Sequence, residues 1–122
     1  MSDGQDLRRG DIVLAAMRFP SAPDEEKVRP VVIVQNDVGN RFSPNVIVAT
    51  ISSQLPSRPY PTNVLIRHGS HLHAGTGLER DSVVEAENIA TISKRAIAQR
   101  IGRFDAPAMQ MIDECLRVSL AL

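Results

Sequence analysis

Apolar residues fall along this chain in short bursts separated by proline, glycine and acidic residues, the rhythm of a β-rich domain. Asp11 to Met17 (DIVLAAM) has the apolar density of a strand, and Phe19 to Lys27 (FPSAPDEEK), with two prolines and a run of acids, predicts a surface loop. Val31 to Gln35 (VVIVQ) is β-branched without alternation, which suits a strand buried on both faces. The turn formers of Asn36 to Pro44 lead to the next strand, Val46 to Ser52, and Pro56, Pro59 and Pro61 then hold off regular structure until Asn63 to Ile66. Arg67 to Gly77, rich in glycine and histidine, predicts a hairpin tip, followed by short strands at Ser82 to Glu85 and Ile89 to Ile92.

Two helices close the pattern. Ser93 is an N-cap for a brief helix over Lys94 to Ala98. Asp105 and Pro107 announce a longer one, because a carboxylate satisfies free amides at a helix start and proline in the first turn loses none. Ile112, Cys115, Leu116 and Ser119 recur at helical spacing and form its packing face. No repeat or linker divides the chain, so residues 1–122 read as one domain with a flexible tail at 1–8. The predicted class is mainly β with helices, a small barrel carrying a C-terminal helix.

Composition narrows this little. A chain of 122 residues buries enough surface to fold without disulfides or a structural metal. The aromatic share of 3% makes the core aliphatic. Fourteen basic and 14 acidic side chains cancel, so any nucleic-acid surface requires cations gathered on one face. The lone cysteine, Cys115, falls among apolar helix positions and reads as a small buried hydrophobe. A polar N-terminus and the lack of any run of membrane-spanning length point to the cytoplasm.

Glycine-rich phosphate loops, CxxC pairs and HExxH are all missing. His71 and His73 would share a face if their segment were a strand, but no carboxylate or thiol beside them completes a metal site, so no metal or cofactor is expected. Arg29 stands before a buried strand, with Pro30 forcing its backbone to be extended. Ser52 and Ser53 end the following strand, where a barrel presents side chains to ligands. From spacing alone, a loop arginine and a strand-end serine are more often an ordinary surface pair than a site.

The same residues carry a resemblance. Arg9-Gly10-Asp11-Ile12-Val13, Val28-Arg29-Pro30 with the strand after it through Asn36-Asp37, and Gly39-Asn40-Arg41-Phe42-Ser43-Pro44 are similar to the opening half of MazF/PemK-type toxins. Pro61-Thr62-Asn63-Val64, Glu79-Arg80-Asp81-Ser82-Val83, Ile89-Ala90-Thr91-Ile92 and the closing Ser119-Leu120-Ala121-Leu122 continue the likeness in order. The resemblance implies an SH3-like barrel that forms a homodimer, cuts single-stranded RNA at specific sequences without a metal, and is neutralised by a cognate antitoxin. It further implies attack by the 2′-hydroxyl, leaving a 2′,3′-cyclic phosphate and a 5′-hydroxyl. The family's catalytic arginine falls on Arg29 and its hydroxyl partner, usually threonine, on Ser52. Serine keeps the oxygen and loses the methyl that restricts the rotamer.

Asn36, just past the arginine's strand, is a candidate for reading a base edge, since an amide both donates and accepts; it is equally a turn former. Gln35 is a weaker candidate of the same kind, Phe42 fits a stacking role and a core position equally, and Glu87 aligns with an acidic position near the family's RNA groove. Two other functions fit parts of the pattern: a toxin of the same fold that poisons DNA gyrase without cutting RNA, and a small-barrel binding module without turnover.

Overall fold

The computed structural model describes residues 6–122. Its chain runs β1 (Asp11–Phe19), β2 (Ala22–Ile33), α1 (Asp37–Phe42), β3 (Asn45–Ser52), β4 (Asn63–Ile66), β5 (Ser82–Ser93), a 3₁₀ turn (Lys94–Ala96), β6 (Ile97–Arg103) and α2 (Ala106–Leu120). The strands form one antiparallel six-stranded sheet in the order β4-β5-β3-β2-β1-β6, curled into a half-barrel with α2 packed on it.

Both faces of the curled sheet are apolar. Ile12, Val32, Ala49, Ile51, Val84 and Ala86 meet Phe104 and the Ala108, Ile112 and Cys115 face of α2. Val13, Ala15, Met17, Val31, Ile33, Val46, Val48 and Ile97 fill the second core, with Leu7 against them. The Val31–Ile33 run is fully buried because successive side chains enter different cores. Residues 1–5 of the expected tail lie outside the described residues, and Leu7 itself is buried.

Several expectations are corrected. Phe19–Lys27 is not a loop: β1 and β2 continue as a hairpin through Met17 opposite Lys27 and Arg18 opposite Glu26. Pairing with β3 begins only at Val31, so this end of β2 lacks a buried face and with it the alternation that marks a strand. Asn36–Pro44 holds a short helix, α1, pinned by buried Asn40, whose amide donates to the Gln35 carbonyl at 2.9 Å and to Asp37 Oδ1 at 3.0 Å. The two strands expected at 82–85 and 89–92 are one, β5. Its ladder with β3 jumps from Glu85 opposite Thr50 to Ile89 opposite Ala49, a bulge at Ala86–Asn88 that breaks the sequence pattern. Ser93 caps only a 3₁₀ turn, and Ile97–Ala98 already belong to β6.

The long β4–β5 connection reaches across to β6, on the opposite edge of the sheet. Arg103 N donates to the Gly75 carbonyl at 2.9 Å. Gly102 lies so close to Gly75 and Thr76 that a side chain there would overlap their backbone carbonyl groups. Gly77, in the left-handed region (φ +72°), packs as tightly on the Ile101 carbonyl. This strap spans the half-barrel's open side.

Candidate functional site

Beneath the strap a groove of about 1040 Å³ opens at one end of the half-barrel. It is built from strand ends: Lys27 and Arg29 of β2, Thr50 and Ser52 of β3 with Ser53 and Gln54, Leu78 to Arg80 before β5, Glu85 and Asn88 at the bulge, and Gln99 and Ile101 of β6. The β2–β3 ladder ends at Val31 opposite Thr50. Arg29 and Ser52 each lie two residues beyond it on the same pleat face, which explains why they share the groove. Pro30 keeps Arg29 extended, and its side chain is exposed.

Ser52 Oγ accepts a hydrogen bond from Gln54 N at 3.0 Å, a local turn that fixes the oxygen and leaves its proton available to a ligand. On the groove floor Thr50, 4% exposed, donates its hydroxyl to Glu85 Oε1 at 2.8 Å. Asn88 Nδ2 reaches the same oxygen at 3.4 Å. Three cations (Lys27, Arg29, Arg80) and two carboxylates (Glu79, Glu85) therefore line the groove of a chain with no net charge. A polyanion meets local positive charge there, with a fixed carboxylate among the cations.

The other residues singled out from the sequence lie elsewhere. Asn36 caps α1, its side chain accepting from Gly39 N at 2.8 Å. Gln35 Nε2 donates to Asn40 Oδ1 at 3.2 Å and to the Asn45 carbonyl at 3.1 Å. Phe42 is 74% exposed, with the Arg41 guanidinium 5.3 Å from its ring centre. These three surround α1, beyond the opposite end of the β2–β3 ladder from Arg29, where Val38, Arg41 and Phe42 border a shallower depression. Glu87 leaves the groove as well, accepting from Thr62 Oγ1 at 2.8 Å and Asn63 Nδ2 at 3.1 Å.

His68, His71 and His73 sit in turns of the β4–β5 connection rather than on a strand. His73 Nε2 donates to the Leu78 carbonyl at 2.6 Å and its Nδ1 accepts from Gly69 N at 3.4 Å, which fixes the tautomer and props the segment entering the groove. At the base of that loop the His68 amide, donating to Asp81 at 2.7 Å, holds the carboxyl below its usual range. Burial raises the Cys115 thiol above its ordinary value, with Glu87 and Glu114 adding to the effect. Among the described residues no three His, Cys, Asp or Glu side chains gather as a metal site, and no helix is long and apolar enough to cross a membrane.

Of the residues that line the groove, Arg29 and Ser52 are candidates from the sequence, whereas Thr50, Glu85 and Asn88 are not among them. A threonine inside an apolar run (VATI) and a glutamate ending another (SVVE) are the available signals, since a polar group in such a place needs a partner. What sequence spacing could not supply was the register that pairs them.

Residues 8–120 match the family of the PemK-like, MazF-like toxin of type II toxin-antitoxin systems. The chain is 40% identical over 116 residues to endoribonuclease EndoA of Bacillus subtilis (strain 168), covering 95% of this chain and 96% of that protein. Among solved structures, the Mycobacterium tuberculosis toxin MazF-mt6 superposes with a TM-score of 0.72 at 27% identity, over 92% of this chain and 97% of that one. A mycobacterial endoribonuclease in complex with its cognate antitoxin gives 0.76 at 22% identity, over 95% and 96%, a likeness of fold.

Proposed function

Because the chain belongs to the PemK-like, MazF-like toxin family of type II toxin-antitoxin systems, we propose that it is a cytoplasmic endoribonuclease that cuts single-stranded RNA at specific sequences without a metal. One observation carries the reading to particular residues: Arg29 and Ser52 each lie two residues past the end of the β2–β3 ladder and line the same groove. Cleavage proceeds by attack of a 2′-hydroxyl on the adjacent phosphorus, giving a 2′,3′-cyclic phosphate and a 5′-hydroxyl.

That attack builds negative charge on the non-bridging oxygens and on the departing 5′-oxygen. The guanidinium of Arg29 offers a planar fork of donors matched to phosphate oxygens, and the Ser52 hydroxyl adds one more. Arg29 acts through its charge and its fork of N–H donors, because a guanidinium carries five donors and no acceptor. Losing one preorganised donor of this kind costs on the order of a hundred- to a thousand-fold in rate.

Asn36, Gln35, Phe42 and Glu87 contact bases only if the strand runs from the groove past α1 or past the β5 bulge. Their part in sequence choice is read by whether Asn36→Ala changes the cleavage motif. The protein forms a homodimer and is held inactive by an antitoxin that covers the groove. The whole chain acts as one domain.

The test is incubation of purified protein with a long single-stranded RNA in EDTA, beside Arg29→Ala. Discrete fragments with cyclic-phosphate ends from the parent alone are expected. A folded Arg29→Ala protein cutting at near parental rate would overturn the assignment of Arg29, and no cleavage of diverse RNAs by the folded parent would overturn the nuclease reading.

A further inference from the structure

The reaction needs a base that Arg29 cannot be. A 2′-hydroxyl attacks well only as its proton is withdrawn, and a permanent cation does not accept it. Ser52 Oγ is a weak base already accepting from Gln54 N. None of the three histidines lines the groove. Two carboxylates do, and they differ in how they are held. Glu79 is exposed on the connecting loop. Glu85 is half-buried on β5, with Oε1 tethered by the Thr50 hydroxyl at 2.8 Å and by Asn88 at 3.4 Å.

We propose, building on the ribonuclease reading, that Glu85 is the proton acceptor of this groove: one carboxylate oxygen is anchored by Thr50 and Asn88 while the other faces the RNA sugar. The step balances without a co-reactant. The 2′-O–H proton passes to the Glu85 carboxylate as the O2′–P bond forms. The P–O5′ bond breaks on the far side of the phosphorus, and the departing 5′-oxygen takes a proton from water. Glu85 then returns its proton to solvent.

The charged groups that face Glu85 are few. Lys27 and Arg29 come from β2, and Glu79 and Arg80 from the segment before β5. Neither flanking strand, β3 or β4, carries a charged side chain. On β5, Glu87 is engaged by Thr62 and Asn63. From β6 only the neutral Gln99 and Ile101 line the groove, while Arg100 and Arg103 lie by Asp11 at 3.6 and 3.8 Å. Asp113, Glu114 and Arg117 of α2 do not line it. A fall in rate on acidification is thus assignable by substitution at 85 and 79.

The experiment measures kcat and KM against pH for the parent, Glu85→Gln, Glu85→Asp and Glu79→Gln, with binding read on an RNA carrying a 2′-deoxy sugar at the cut site. Glutamine keeps the oxygen that accepts from Thr50 and Asn88, so the groove floor is retained. The expected result for Glu85→Gln is a kcat lower by about a hundred- to ten-thousand-fold, loss of the acid limb, and binding no weaker than parental. Glu85→Asp recovers the acid limb at reduced rate, and Glu79→Gln keeps it. A Glu85→Gln enzyme with parental kcat and an intact acid limb would overturn the proposal, as would a defect confined to binding, or an acid limb that moves with Glu79. In each of those cases the parent still cuts RNA and Arg29→Ala does not, so the nuclease reading stands. A parent that cuts nothing removes both.

Discussion

Replacing Gly102 by alanine tests the strap that spans the open side of the half-barrel. The new methyl meets the Gly75 oxygen and the Thr76 carbonyl, and these are backbone atoms that no rotamer change removes. Two relaxations are open. If the strap stays, the overlap is absorbed by shifts in packed backbone, which cost about 1–3 kcal/mol. If it lifts away, the Arg103-to-Gly75 hydrogen bond is lost, worth about 1 kcal/mol. Leu78, now 6% exposed, then loses part of its burial, worth about 1.5–3 kcal/mol when complete. Both routes arrive near 2–3 kcal/mol, roughly 10 °C in Tm for a chain of this length. The assay is thermal unfolding followed by circular dichroism, paired with RNA cleavage at 25 °C. Cleavage falls as well, because Leu78, Glu79 and Arg80 enter the groove directly after the strap. A variant that melts within about 2 °C of the parent and cuts at the parental rate would refute the contact.

Two further outcomes follow from the titrating groups. Cys115 is 8% exposed and its thiol is raised chiefly by burial, so the native protein at pH 8 should react with iodoacetamide far more slowly than the denatured chain; equal rates would place the thiol outside the core. Asp37 is lowered first by the Arg9 amide at 2.7 Å and then by Asn40. Its folded value lies below the unfolded one, so the stability it contributes is complete above the ordinary 3.8 and is lost as pH falls from there through the depressed value. Asp37→Asn should flatten that part of the acid unfolding curve, and an unchanged curve would count against the Arg9 contact.

The fold was legible where burial wrote a pattern. The β-branched run at 31–33 and the cap of α2 at Asp105 with Pro107 are set by local chemistry, and the structure has a strand and a helix there. The distal β1–β2 hairpin was not legible, because strands exposed on both faces carry no alternation and Pro23 with three acids resembles a loop. The start of β6 followed a serine cap that serves a single 3₁₀ turn as well as a helix. In the groove, Arg29 and Ser52 were legible through motif and strand-end position. Glu85 and Thr50 were not, since their meeting depends on a ladder that joins positions 35 residues apart and shifts at a bulge.

The strap has a consequence in time as well as in space. Gly75 waits for Gly102 and Arg103, and the groove wall formed by Gln99 and Ile101 belongs to the last quarter of the chain. During synthesis the first five strands can emerge and pair, but the mouth has no far side until β6 arrives. A ribosome partway through this message therefore carries an unfinished groove, and the RNA-holding role proposed for it begins only once β6 is made.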